Sequence, residues 1–266
     1  INHIGFLCET EESMKKLACL ILFGALSASP ALADPDPAEI VRDAIDNWRG
    51  TSSYIEQTMI VHRPEWERSS AMVSITRGNK DALVRFTAPA RDEGNATLKL
   101  DRDMWVFTPR LNRVIKLPAS MMAQSWMGSD FSYDDLSKTD ALLTDYELSI
   151  QTTEEADGHE IYVIEAVPHD DAPVVWGREV LRIRDDSVFL ERDYYDQTDQ
   201  LVKRMIADRI GPLDGRPYPQ EMRMVDVEEE DHWTLVVTQS GKFDVEPPSF
   251  LFTQSNLRNP RDWSPR

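Results

Sequence analysis

From Ser53 onward the apolar residues of this chain recur with a period of two, and they keep that spacing almost to residue 240. Such a spacing puts successive side chains on opposite faces of an extended backbone, so it rules out a mostly helical fold. The candidate strands are 54–62, 70–77, 81–87, 96–101, 104–108, 113–117, 146–152, 160–167, 179–184, 188–195, 201–209, 220–227 and 233–239. Turn-forming residues punctuate them, as in Gly78-Asn79 and the run 91–95. Alternation is clean in Leu181-Arg182-Ile183-Arg184 and from Trp233 to Val237, whereas elsewhere both faces are apolar. Many short strands joined by tight turns, with two helical insertions, predict a mainly β (α+β) fold: a large curved antiparallel sheet or incomplete barrel whose concave face the helices cover.

The first insertion announces itself by its caps. Asp36-Pro37-Ala38-Glu39 supplies a capping side chain, proline at the first helical position and a capping-box Glu, and Gly50 stops the helix. Ile40, Val41, Ala44, Ile45 and Trp48 form its apolar stripe, opposite Arg42, Asp43 and Asp46. The second insertion, 133–143, carries Leu136, Leu142 and Leu143 with Asp130 or Ser132 near its start. At the other end of the chain, 247–266 holds Phe250, Leu251, Phe252 and Leu257 and is expected to dock.

The stretch from Asp101 to Leu136 places large apolar residues in two settings. Met104-Trp105-Val106-Phe107 is strand with large residues on both faces; it stops at Thr108-Pro109 and returns as Arg113–Leu117, the second arm of a hairpin. After Pro118 the pattern changes, and Met121, Met122, Trp126, Met127 and Phe131 fall among Ser, Ala, Gln and Gly with no strict period of two. Large apolar residues on a connection usually cover something, and methionine repacks readily around irregular apolar partners. The segment reads as an apolar flap with Gly128 as its pivot. The alternative is that these residues plug one end of a barrel core.

Residues 14–33 have the layout of a secretory signal: Met14-Lys15-Lys16, an apolar run from Leu17 to Leu26, and an Ala31-x-Ala33 cleavage site. The run is too short to span a bilayer, which takes about 20 apolar residues. Cleavage is expected after Ala33, residues 1–13 are read as an upstream artefact, and 34–266 as one domain with no linker dividing it. Cys8 and Cys19 both precede the cut, so the mature chain needs no disulfide, and Lys16 stands where a lipobox has leucine. The formal charge is −18; removing 1–33 takes away three acidic and two basic residues, leaving −17. Such a charge speaks against nucleic acid and anionic lipid surfaces as partners.

The residues of an enzyme do not assemble in this sequence. His169-Asp170-Asp171 sits between Pro168 and Pro173 in a solvated turn, without the convergent ligands a metal wants. His62 and His159 are isolated near strand ends, 228–231 is an acidic hairpin tip, and no thiol nucleophile or Gly-rich phosphate loop is present. No cofactor and no metal are expected.

The run Trp105-x-Phe107-x-Pro109, Leu117-Pro118, Ser125-x-Met127-Gly128-Ser129-Asp130-Phe131 and Asp134-Asp135-Leu136 resembles the outer-membrane lipoprotein-sorting family, that of LolA-like periplasmic carriers. The resemblance covers essentially the whole mature chain. It implies a half-barrel with helices as a lid over an apolar cavity that holds lipoprotein acyl chains, or other lipidic cargo, on the way to the outer membrane. An inner-membrane transporter and an outer-membrane acceptor are the implied partners. Trp105, Phe107, Met121, Met122, Trp126, Met127 and Phe131 are the residues expected to line or cover the cavity. This chain is longer than the carrier that gives the family its name, and no arginine matches the one that latches that carrier's lid; Arg85 lies in the comparable region. Similar proteins accompany exporters of the RND type, so the other reading is a periplasmic adaptor that docks on such an exporter and carries nothing.

Overall fold

The helix announced by Asp36 forms as Pro37–Arg49 (α1), with the Asp36 carboxylate accepting from the Ala38 N–H and Gly50 closing it at a φ of 60°. A computed structural model describes residues 35–138, 141–229 and 231–265; the expected signal at 14–33 and the segment 1–13 lie outside the described residues. Val41, Ala44 and Ile45, from the apolar stripe, are fully buried.

The period-two region folds as thirteen strands: Ser52–Arg63 (β1), Trp66–Arg77 (β2), Asp81–Ala88 (β3), Ala96–Leu100 (β4), Asp103–Thr108 (β5), Arg113–Lys116 (β6), Tyr146–Ala156 (β7), His159–Pro168 (β8), Arg178–Arg184 (β9), Phe189–Tyr195 (β10), Leu201–Leu213 (β11), Arg216–Asp226 (β12) and Trp233–Phe243 (β13). They make one antiparallel sheet in the order β6-β5-β4-β3-β2-β1-β13-β12-β11-β10-β9-β8-β7. The described part of the chain is mostly β, with 52% of its residues in strands, and the sheet is curved and open. Consecutive strands pair as hairpins within β1–β6 and within β7–β13, and one non-local pairing, β1 with β13, joins the two halves.

Several strands run longer than the periodicity suggests. The tip of the β11–β12 hairpin contains Pro212, Pro217 and Pro219, which argue against strand on their own. There β12 pairs with β11 alone, because its bonds to β13 span only Glu221 to Val225. A two-stranded ribbon has an outer edge on which a missing N–H costs nothing. The segment 133–143 also differs: only Tyr133–Ser137 (α2) is α-helical, followed by a 3₁₀ turn at Ala141–Leu143. α2 starts with a complete Ser132/Asp135 capping box. It ends early because the chain must turn to deliver Leu142 into the cluster formed by α1 with Ile164, Leu181, Ile183 and Phe189.

The two faces of the sheet carry separate cores. On one, α1 packs over β7–β10. On the other, a 3₁₀ turn at Ser249–Leu251 and the short helix Gln254–Arg258 (α3) press Leu251, Phe252 and Leu257 onto Ile75, Leu83, Ala96, Leu98 and Phe107. Burying each of those tail side chains is worth about 1.5–3 kcal/mol, which is why the tail docks.

Candidate functional site

On the α1 face, Val84 of β3 and Tyr194 of β10 line the same cavity. Six strand spacings separate β3 from β10, a span of about 30 Å in a flat sheet. The sheet must therefore curl, and the hollow it makes is capped by Trp48 of α1 and by Trp126, Phe131, Asp135 and Leu136 of the connection between β6 and β7. The cavity has a volume of about 220 Å³. Ile55, Met72, Val84, Phe189, Met205 and Met222 are among its apolar walls. A narrow polar stripe crosses its floor, where Ser53 Oγ and Thr76 Oγ1 share a hydrogen bond at 2.7 Å and Gln57 Nε2 donates to Thr238 Oγ1 at 3.3 Å.

The covering segment 118–138 is clasped to the sheet at four points. Trp126 is only 2% exposed; it packs on Phe86 with ring centroids 5.4 Å apart and donates its indole N–H to Thr97 Oγ1 at 3.0 Å. Arg63, at the end of β1, grips both carboxylate oxygens of Asp130 at 3.1 and 2.9 Å, and Thr234 of β13 donates to the same carboxylate at 2.6 Å. Their side chains are 16% and 13% exposed for Arg63 and Asp130, so the pair is shielded from most screening. Lys203 of β11 donates to Asp135 at 2.6 Å, and Arg68 of β2 donates to the Met127 carbonyl. Met127 and Gly128 are both left-handed, with φ of 53° and 71°. The glycine takes this at no steric cost, whereas the methionine pays about 1–2 kcal/mol that the closed arrangement must offset.

One end of the cavity is charged but neutralised. Glu179, fully buried, accepts from the Tyr146 hydroxyl at 2.6 Å and from Arg192. Burial by itself lowers the pKa of Arg192, but the Glu179 charge overrides it and holds the guanidinium above its ordinary value. Burial, reinforced by Glu179, pushes the Tyr146 phenol up, and burial pushes Tyr194 up as well, so both phenols stay neutral. Lys203 sits over the rings of Trp176 and Tyr194 at 5.0 and 4.8 Å. Glu179 is paired with Arg192 and Asp135 with Lys203, so this end anchors the cover. Among the described residues, His159, Asp185 and Asp186 bring possible metal ligands within 4.8 Å of one another. They lie outside the cavity, however, and Arg184 holds both oxygens of Asp186 at 2.7 Å. His169, Asp170 and Asp171 are exposed in a turn.

The structure distributes the residues singled out from sequence over three places. Trp126 and Phe131 line the cavity, and Met127 packs half-buried beside them. Met121 and Met122 lie half-buried at a 3₁₀ turn of the cover and are not among the lining residues. Trp105 and Phe107 pack beneath the tail on the opposite face. Their register explains this: Thr97, which faces Trp126, pairs with Val106, so Trp105 and Phe107 on either side of Val106 must point the other way. Arg85 is also on the tail side, donating to the Asn256 carbonyl at 2.8 Å. The clasp around Asp130 and the walls from β10–β13 carry no local sequence signal, because they form between residues far apart in the chain.

A family model described as "Uncharacterized protein" matches residues 78–259. No curated protein matches the chain. Among solved structures, a DUF1329 family protein from Desulfovibrio piger is 26% identical, with a TM-score of 0.75 over 84% of this chain and 100% of its own. A domain from Vibrio parahaemolyticus assigned to the outer-membrane lipoprotein-sorting proteins is 21% identical, with a TM-score of 0.72 over 84% of this chain and 98% of its own. A LolA superfamily protein from Nitrosomonas europaea is 20% identical, with a TM-score of 0.69 over 83% and 99%. The family model spans residues 78–259, so the chain belongs to the family that this model describes, and its curved half-barrel is the fold of the LolA-like structures.

Proposed function

We propose that the protein is a non-enzymatic periplasmic carrier that holds the acyl chains of lipoproteins, or another lipidic cargo, in the cavity beneath 118–138 for transfer towards the outer membrane. The observation that carries this reading is the cavity itself: apolar walls from both halves of the sheet, closed by a segment fastened through side chains. At about 220 Å³ it is smaller than the roughly 300–1,000 Å³ typical of ligand sites. The arrangement is therefore a closed one, and admission of an acyl chain requires the cover to lift. Delivery to the periplasm rests on the signal layout of residues 14–33, and no described helix is long and apolar enough to cross a membrane. An inner-membrane transporter and an outer-membrane acceptor are the partners such a carrier needs.

Native mass spectrometry after mild extraction from the periplasm tests the reading. A co-purifying lipid or lipoprotein, retained in greater amount by substitutions that unfasten the cover, supports it. Repeated isolation of an empty chain bound to a membrane exporter would overturn it in favour of an adaptor.

A further inference from the structure

The sheet carries a second hollow on its other face, and two β-bulges make it. Between β1 and β13 the register breaks after Glu56, leaving Gln239 as the extra residue; between β2 and β3 it breaks after Ala71, leaving Thr87. Gln57 and Met72, the residues at the two breaks, are cross-strand partners of each other. The bulges therefore lie at one level on either side of them. Bulged strands bend, and two bends at the same level crease the sheet. Both extra residues line the groove that results, which has a volume of about 1230 Å³.

The far wall is the end of the tail, from Pro260 to Pro265. There Trp263 meets Tyr54 edge-on, with ring centroids 5.8 Å apart at 75°. The Tyr54 hydroxyl donates to Glu56 Oε1 at 3.2 Å, and Ser240 fixes the other oxygen of that carboxylate at 2.8 Å. Asp262 and Glu246 add two more carboxylates to the lining. Two arginines also line the groove, but both are engaged. Arg85 donates to the carbonyls of Asn256 and Leu257, and Arg261 lies over the Phe250 ring at 3.5 Å. The groove thus offers two aromatic rings beside a fixed carboxylate, which is the chemistry that attracts a weakly hydrated organic cation.

We propose that this groove binds an organic ammonium group, carried by a free amine or by a lipid headgroup, beside the Tyr54–Trp263 ring pair and the Glu56 carboxylate. The site lies across the sheet from the acyl cavity, and Gln57 and Met72 line both. It accepts the polar end of an amphiphile in a place where no acyl chain is required.

Isothermal titration of the full chain with choline and with its neutral isostere 3,3-dimethylbutan-1-ol tests the proposal. Choline is expected to bind about tenfold or more tightly than the isostere. Trp263→Ala and Glu56→Gln, both at exposed or half-exposed positions, are expected to weaken choline by a similar factor while leaving the circular dichroism spectrum unchanged. Ethanolamine extends the test to primary amines, and glycerophosphocholine separates the sources: tighter binding than choline assigns a lipid headgroup, and weaker binding assigns a free amine. Equal affinity for the isostere, no heat with either amine, or undiminished binding in Trp263→Ala overturns the site. None of these ligands has an acyl chain, so the result is independent of whether the cavity on the other face carries one.

Discussion

If 118–138 is a cover that lifts as a unit, the cost of damaging it must saturate. In an ordinary core, Trp126→Ala removes a side chain that is 98% shielded, and such truncations cost about 3–5 kcal/mol. Asp130→Ala removes two charge-assisted bonds to Arg63 and one to Thr234, at positions only partly exposed, and costs about 2–3 kcal/mol. Acting independently, the two losses total about 5–8 kcal/mol. A hinged cover behaves differently, because both substitutions destabilise only the closed form. Once the open form becomes the ground state, further damage has no effect on global unfolding. The total loss is then capped at the free energy of closure, about 2–4 kcal/mol for a minor state populated at the usual levels. Urea denaturation followed by far-UV circular dichroism should therefore show the double variant no less stable than Trp126→Ala alone. Asp130→Ala removes no lining atom, so it should tighten binding of a fluorescent fatty acid by up to about 100-fold as the open form ceases to be rare. Losses that add to the full sum, with unchanged fatty-acid affinity, would show that Trp126 belongs to an immobile core.

Lys203→Met leaves Asp135, 8% exposed, without its cation; because the pair fastens the cover, a loss no larger than the free energy of closure, about 2–4 kcal/mol, is expected in urea, with half or more of it restored in the Asp135→Asn, Lys203→Met double variant. Asp214 and Asp244 are held below the usual carboxylate range, the first mainly by Lys242 and the Phe243 N–H, the second mainly by the backbone and hydroxyl of Thr51. Their folded-state pKa values lie below those of the unfolded chain, so the stability they confer is complete above about pH 4 and is lost as pH falls through the folded values. Asp214→Asn with Asp244→Asn should flatten the acid limb of a melting-temperature profile, and an unchanged limb would assign acid sensitivity to other groups. Arg85→Met removes the donor to the Asn256 and Leu257 carbonyls; amide exchange should accelerate by tenfold or more across 250–263 and stay unchanged in β7–β10.

The strands were legible because alternation is a local property: each of the candidate strands has a counterpart in the sheet, and the 104–117 hairpin pairs as read. Alternation states which residues share a face, but not which face becomes the cavity. Trp105 and Trp126 look alike in the sequence, and only the Thr97–Val106 register shows that they lie on opposite sides of the sheet. The clasp was illegible for a different reason. Arg63 and Asp130 are 67 residues apart, Lys203 and Asp135 are 68 apart, and neither pair has a spacing that any local rule would single out. The prolines at 212, 217 and 219 concealed strand because a ribbon with a free outer edge tolerates them, and no short window reveals where a neighbouring strand stops.

The single seam between β1 and β13 also sets the order in which this molecule can be completed. Gln57 and Thr238 meet across it from 181 residues apart, and closing a loop of that length costs about 4–5 kcal/mol of chain entropy before any contact is gained. Every other strand finds its neighbour within a hairpin. During synthesis, β1–β6 can therefore zip early while β1 keeps an open edge, the kind of edge on which unfinished chains aggregate. That edge waits for nearly the whole of the remaining polypeptide. The cavity floor straddles the same seam, with Ser53, Ile55 and Gln57 on one side and Val236 and Thr238 on the other. A partly made chain has half a wall and no chamber, so the cavity does not exist until the last strand has arrived.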